Sequence, residues 1–223
     1  MIDVNTRMIE FGGQNFELHP LRALYWADRR TLIVADLHVG KASLFRALGI
    51  PVPGGTTTHD LNRLTTLIES TGARRLLILG DLLHGKSGRG DSTFAAVAAW
   101  RKRHADVSIT LIRGNHDLSA GDPPQEWGIS VPPGPLVEDG IAFQHEPPTV
   151  ITWRTPPTVC GHIHPAARLR DFDGSATGVA CFVIEQRLLI LPAFGRFTGG
   201  SRVEQRDDRR LYAVAADRVV QVG

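Results

Sequence analysis

Five apolar runs in this 223-residue sequence each stop at a residue able to bind a metal ion. LIVA is followed by Asp36-Leu37-His38, LLIL by Gly80-Asp81, and ITLI by Arg113-Gly114-Asn115-His116-Asp117. IAFQ is followed by His145, and TVC by Gly161-His162-Ile163-His164. Each residue alone has an ordinary explanation: an Asp after a strand forms a turn or caps a helix, and a single His packs or hydrogen-bonds. In α/β sheets, however, ligands gather outside the carboxyl ends of the strands. Turn chemistry does not account for five such ends in one chain.

The donor set narrows the chemistry. Asp36, Asp81, Asn115, His38, His145, His162 and His164 offer carboxylates, an amide and imidazoles, with no thiolate. Mixed nitrogen and oxygen donors suit Mn, Fe or Zn better than Mg or Ca. Two divalent ions bring more positive charge than the two aspartates cancel. The excess fits a bridging hydroxide and an anionic phosphate. Two metals about 3.5–4 Å apart can clamp the attacking and leaving oxygens of an in-line displacement. A metal-bound water also becomes nucleophilic near neutral pH. No serine or cysteine triad is evident.

The elements that must position these residues follow from the hydrophobic pattern. Strands are expected at 14–20, 23–28, 31–38, 76–81, 107–115, 141–145 and 158–162. Helices are expected at 41–49, at 56–70 with Leu61, Leu64, Leu67 and Ile68 on one face, and at 92–104 with Ser92 as N-cap. PVPGG at 51–55 and HGKSGRGD at 84–91 read as loops, and 118–135 as mostly irregular. Pro165 is expected to end the strand carrying His162 and His164. Two hairpins close the chain, turning near Gln186-Arg187 and at Asp217-Arg218. Strand–helix alternation followed by consecutive strands predicts two sheets packed face to face with helices outside, as one domain over residues 1–223.

Composition excludes several classes. Hydrophobic residues make up 42% of the chain and charged residues 22%, as in a globular enzyme. No apolar run approaches the roughly 18 residues of a membrane span, so no membrane partner is expected. The start, MIDVNTRMIEFGG, lacks the apolar stretch of a signal peptide. Cys160 and Cys181 form no CxxC pair. Together these features predict a reducing, cytoplasmic setting.

The motifs D-x-H at 36–38, G-D-x-x-H at 80–84, G-N-H-D at 114–117, His145 and G-H-x-H at 161–164 resemble those of the calcineurin-like metallophosphoesterase superfamily, in family order. The resemblance implies a four-layer αββα sandwich with a two-metal centre at the strand ends. It implies that Asp36, His38, Asp81 and His164 hold one ion, and Asp81, Asn115, His145 and His162 the other, with Asp81 bridging. His116 is then not a ligand. It faces the scissile phosphate and either stabilises the transition state or protonates the leaving oxygen. His84 would orient it, where many relatives carry a carboxylate.

Protein Ser/Thr phosphatases of the superfamily read GDxVDRG and GNHE. This chain reads GDLLHGKSG and GNHD, which argues against a phosphoprotein substrate. ADLHVGKA at 35–42, PVPGG, GDLLHGK and LPAFGRFTGG at 191–200 instead resemble a small bacterial group of ligase-associated DNA damage response endonucleases. That resemblance implies a manganese-dependent phosphodiesterase acting as a DNA endonuclease, and single-stranded DNA is the expected substrate. It also implies neighbours such as a DEXH-box helicase, an ATP-dependent DNA ligase and a nuclease-like protein.

Net charge is only +2, so independent support for DNA is local. Lys41, Arg46, Lys86, Arg89, Arg113, Arg168 and Arg170 fall in or near loops expected to rim the strand ends. They are either phosphate contacts or solvated surface charges. Trp153, Phe194 and Phe197 are either base platforms or packing residues. Two further readings stay open: a phosphodiesterase for nucleotides or cyclic nucleotides, and a non-catalytic scaffold. The filled ligand set weighs against the second.

Overall fold

The apolar runs form the centres of two stacked sheets. The computed structural model describes residues 5–52, 54–170 and 176–222, apart from the side chains at 47, 87 and 170. Pro53 and the Arg170 side chain therefore lie outside the described residues. The first sheet runs β1 (Arg7–Phe11), β2 (Gln14–His19), β3 (Ala23–Trp26), β4 (Thr31–Val34), β5 (Arg75–Leu79), β6 (Ser108–Ile112) and β7 (Ile129–Ser130), in that spatial order. β1 to β4 are antiparallel neighbours, whereas β4 to β7 are parallel. The helices α1 (Lys41–Ala47), α2 (Thr56–Thr71), α3 (Asp91–Arg103) and α4 (Asn115–Ala120) fall between or after these parallel strands.

The second sheet contains β8 (Leu136–Glu138), β9 (Ile141–Phe143), β10 (Thr158–Cys160), β11 (Pro165–Arg170), β12 (Ala176–Ile184), β13 (Leu188–Ile190) and β14 (Ser201–Arg202). β15 (Arg210–Ala215) and β16 (Arg218–Val222) extend it beside β12. β9, β10 and β13 are parallel neighbours.

Strand alternation explains the layering. Leu32, Val34, Leu76, Ile78, Ile109 and Leu111 face α2 and α3, packing with Leu64, Leu67 and Trp100. Their alternates Ile33, Ala35, Leu77, Leu79 and Ile112 face the second sheet, packing with Phe143, Val159, Phe182 and Leu189. Burial on both faces is why these strands read as continuous apolar runs. The α/β two-sheet sandwich of the calcineurin-like type is thus present. Among the described residues, the outer face of the second sheet carries its own apolar cluster, in which Ala167, Leu169 and Val179 of the strands and Val203 just after β14 gather with Val183, Ile190 and Leu211. Both cysteines are buried free thiols.

Local corrections have clear causes. Pro165 begins β11 rather than ending a strand, because Pro165 and Ala166 pair with β14 while His162 and His164 sit in the turn before it. The N-cap of α3 is Gly90, with no side-chain cap hydrogen bond, and Ser92 already lies inside the helix. Asn115 opens α4 instead of ending a strand. The glycine-rich 84–91 stretch contains a short 3-10 turn, Lys86–Arg89.

Phe143 is fully buried between the sheets, its ring 5.8 Å from that of Trp26. Phe143→Ala should lower the unfolding free energy by about 3–5 kcal/mol, measured by urea denaturation. A loss below about 1 kcal/mol would mean that the inter-sheet core closes over the gap.

Candidate metal centre

β4, β5, β6, β9 and β10 all run out at one edge of the sandwich, and each delivers a ligand-type side chain there. The segments beyond β4 and β5 stay zipped: Asp36 N–H donates to the Gly80 carbonyl (3.1 Å), and His38 N–H to the Asp81 carbonyl (2.8 Å). Gly161 N–H likewise donates to the His145 carbonyl (2.9 Å). The side chains turn inward through an uncommon backbone. Asp36, His38, Asp81, His162 and His164 all have positive φ, at 56°, 48°, 54°, 68° and 50°. Left-handed residues with a Cβ cost on the order of 1–3 kcal/mol each and persist where the surroundings fix them.

All seven ligand candidates converge. Asp36 Oδ1 lies 3.3 Å from His164 Nε2. His38 Nε2 lies 3.4 Å from His164 Nε2 and 3.6 Å from Asp81 Oδ2. On the other side, His145 Nε2 is 3.1 Å from Asn115 Oδ1, 3.1 Å from His162 Nδ1 and 3.6 Å from Asp81 Oδ1. Asp81 therefore stands between two groups, one oxygen toward each. Backbone donors hold both carboxylates: His162 N–H reaches Asp36 Oδ2 and His116 N–H reaches Asp81 Oδ1, each at 2.9 Å. His162 and His164 fall in different groups because both are twisted out of the extended conformation.

The donors fit cations. Asp36 is completely buried, yet its Oδ1 makes no hydrogen bond. The Leu79 carbonyl can only accept, so His145 Nδ1 donates to it at 3.0 Å and Nε2 keeps its lone pair. That lone pair faces the carbonyl oxygen of Asn115. Two acceptors pointed at one another in a buried site suit an ion between them. Burial pushes the Asp81 carboxyl up, opposed by His145 and the His116 N–H and reinforced by Asp36. Burial also drives His38 down to about 2, helped by Lys41 and the neighbouring imidazoles. Neutral imidazole is the metal-binding form.

Two motif glycines make room for this packing. A Cβ on Gly80, which has φ of 78°, would run into the His145 ring. One on Gly114 would lie 2.6 Å from the Asp81 backbone nitrogen and 2.9 Å from His145 Nε2.

His116 and His84 stack at 4.7 Å between centroids, and His84 Nδ1 also lies 3.2 Å from His38 Nδ1. His38 also meets His116 edge-on at 4.9 Å, so the three rings pack against one another. Asp117 lies outside the ligand set that the sequence pattern marks. It is buried, and its two oxygens accept from Leu83 N–H (3.1 Å) and Gly114 N–H (3.0 Å), tying GNHD to GDLLH. Its signal was a carboxylate in the first turn of a helix. Lys41 is closer to the chemistry than a rim residue: burial lowers its ammonium while Asp81 and Asp36 pull it back up.

Other rim candidates are committed elsewhere. Arg113 forks onto Asp122 with two 2.7 Å hydrogen bonds. Arg89 donates to the Ala120 carbonyl (2.8 Å) and lies over Phe94. Phe194 is fully buried with Arg63 4.2 Å over its ring, so it is no base platform. Lys86 and Arg168 are exposed, and Arg46 reaches Ser43 Oγ at 3.1 Å.

Two predictions follow from these electrostatics. Asp36→Asn should stabilise the metal-free protein by about 1–3 kcal/mol, by removing a charged oxygen without a partner. It should also shrink the melting-temperature gain on adding Mn2+. Undiminished Mn2+ stabilisation would exclude Asp36 as a ligand. Burial, then His116 and Lys41, also lower His84 to about 4 from 6.5. Between these values the unfolded chain binds the extra proton, so metal-free stability should fall as pH drops from 6.5 toward 4. Urea unfolding across that window checks this, and an equal slope in His84→Gln would contradict it.

Comparison with known proteins places this geometry. The crystal structure of Pseudomonas putida nuclease MPE is 41% identical, with 98% of this chain and 100% of that chain covered at a TM-score of 0.86. A protein of unknown function from Aquifex aeolicus, AQ665, is 17% identical over 60% of this chain and 78% of its own, with a TM-score of 0.39. The E. coli phosphoesterase YfcE is 16% identical over 86% and 97%, with a TM-score of 0.42. No curated protein matches. The family model for calcineurin-like phosphoesterases matches residues 29–180, the stretch that contains every candidate ligand, and the chain belongs to that family.

Proposed function

We propose that the protein is a two-metal phosphodiesterase that cuts DNA internally, with single strands as its substrate, in DNA repair. The observation that carries this reading is the pair of candidate ligand groups sharing Asp81 beside the partly exposed imidazole of His116. His38, Asp81 and His145 side chains are 2–3% exposed, whereas His116 is 36% exposed at the same centre. The 41% identity to a nuclease over nearly the whole chain supports a nucleic-acid substrate.

Asp36, His38, Asp81 and His164 would hold one divalent ion; Asp81, Asn115, His145 and His162 would hold the other. Bound Mn2+, or Fe or Zn, supplies neutralisation of phosphate charge and acidification of water near neutral pH. The chain supplies the rest. Asp81 keeps the two groups in register, and its carboxylate is fixed by the His116 N–H. The His116 ring is free to donate to a phosphate oxygen or to the leaving oxygen. His84 stacks on its flank and limits its rotation. Lys41 adds positive charge at the carboxylate side, where a phosphate must approach. The resemblance to the ligase-associated group supports a cytoplasmic enzyme working beside a DEXH-box helicase, an ATP-dependent DNA ligase and a nuclease-like protein. Among the described residues no helix is long and apolar enough to cross a membrane.

His116→Ala should lower kcat by on the order of 10²–10⁴ while the protein still binds two Mn2+ per chain by metal analysis. Loss of metal in that variant would remove the assigned role. Covalently closed single-stranded DNA, assayed beside a chromogenic phosphodiester over a metal panel, tests the substrate. An intact circle with a hydrolysed diester would make the protein a small-molecule phosphodiesterase.

A further inference from the structure

A sixth strand ends at the same edge and brings no ligand. β13 is parallel to β10, and beyond it the chain continues as LPAFGRFTGG. This segment is anchored to the metal-bearing strand end. Phe194 N–H donates to the Ala35 carbonyl (2.8 Å) and Gly195 N–H to the Asp36 carbonyl (3.1 Å). Its root is buried through Gly195, with Arg63 donating to the Phe194 carbonyl at 2.8 Å. Arg196 and Phe197 then emerge into solvent.

These two residues border a cavity of about 440 Å³, closed by Gly54, Gly55, Thr56 and His59. The size falls within the roughly 300–1,000 Å³ of small-molecule sites. The cavity shares lining residues with the clefts beside the centre. Phe197 and Thr56 also line the cleft at His38 and Lys41, and Arg196 also lines the depression at His164. Phe197 is held edge-on by Phe45 of α1, with centroids 5.2 Å apart. The Arg196 guanidinium donates to His59 Nε2 at 3.2 Å and forms no ion pair among the described residues, while its backbone N–H donates to Asp60 Oδ2 at 3.4 Å. A buried root thus carries an exposed aromatic ring and a guanidinium held by His59 alone among the described side chains, beside the candidate metal centre.

We propose that Arg196 and Phe197 form a nucleotide subsite flanking the scissile phosphate. One unstacked base lies on Phe197 inside the cavity, and Arg196 takes the phosphate attached to that nucleotide. A base held this way has left its complement and its stack, so the subsite selects single strands. The inference rests on the phosphodiesterase reading above and names how that site chooses its substrate.

The test is binding of a fluorescein-labelled oligothymidylate, and of an abasic oligomer of equal length, followed by anisotropy in metal-free buffer. The wild type should prefer the oligomer with bases. Phe197→Ala should weaken its binding on the order of 5- to 100-fold and abolish the preference, and Phe197→Tyr should restore both. Arg196→Ala should weaken both oligomers alike and reduce the salt dependence by about one phosphate contact. An undiminished base preference in Phe197→Ala overturns the subsite, even if the enzyme cleaves DNA. Conversely, a wild type that shows the base preference but cleaves no DNA when loaded with Mn2+ keeps the subsite and removes the proposed activity.

Discussion

Asp36 and Asp81 place two carboxylates side by side in a site where neither meets bulk water. Everything near them responds to that constraint. Backbone N–H groups of His162 and His116 satisfy one oxygen of each. Of the neighbouring imidazoles, His145 directs its Nδ1 proton away from the pair, to the Leu79 carbonyl. The protein alone leaves the pair undercompensated, with one Asp36 oxygen unpartnered. Burying a charge without pairing is among the costlier things a fold can do. Divalent cations resolve it, so the metal-free fold is poised for ions rather than optimised for itself.

The two-sheet sandwich supplies the rigidity this needs. Parallel strands from both sheets end at one edge, and the inter-sheet core of Phe143, Phe182, Leu77 and Leu189 locks their relative position. Five ligand-type residues sit at positive φ. Such backbone strain is tolerable only where large apolar burial offsets it, at about 25 cal/mol per Å² removed from water. The ladder between the D-x-H and GDLLH segments and the two acceptor bonds of Asp117 carry the constraint beyond the strands. Catalytic precision here is a consequence of core packing delivered through a few short turns.

The candidate ligands are legible in the sequence because burial and chemistry change at a single residue. An apolar strand that stops at Asp or His leaves a one-dimensional signature. What surrounds the ligands was not legible. Whether Arg113 reaches DNA or Asp122 depends on a loop that returns only in three dimensions. Phe194 and Phe197 are three residues apart with similar propensities, yet one is buried under Arg63 and the other is exposed. Pro165 looked like a strand end because proline cannot donate. At the start of β11 it pairs with β14 and shows the same lack of a donor without harm. The positive φ values leave no mark in composition, since Asp and His are only moderately favoured there.

Weak overall charge sharpens the question of how a polyanion is held. A net charge of +2 gives little long-range attraction, and several arginines near the edge are spent on internal contacts. Non-specific DNA binding through many phosphate contacts would demand a broad basic face and steep salt dependence. The structure instead places one guanidinium, Arg196, and one exposed aromatic ring, Phe197, on the LPAFGRFTGG segment, with Lys41 lining the adjoining cleft. Affinity built from few contacts must draw on stacking, which is available only where bases are unpaired. On the proposed reading, electrostatic economy and single-strand selection are the same physical choice: a weakly charged surface gains most from a strand that offers its bases.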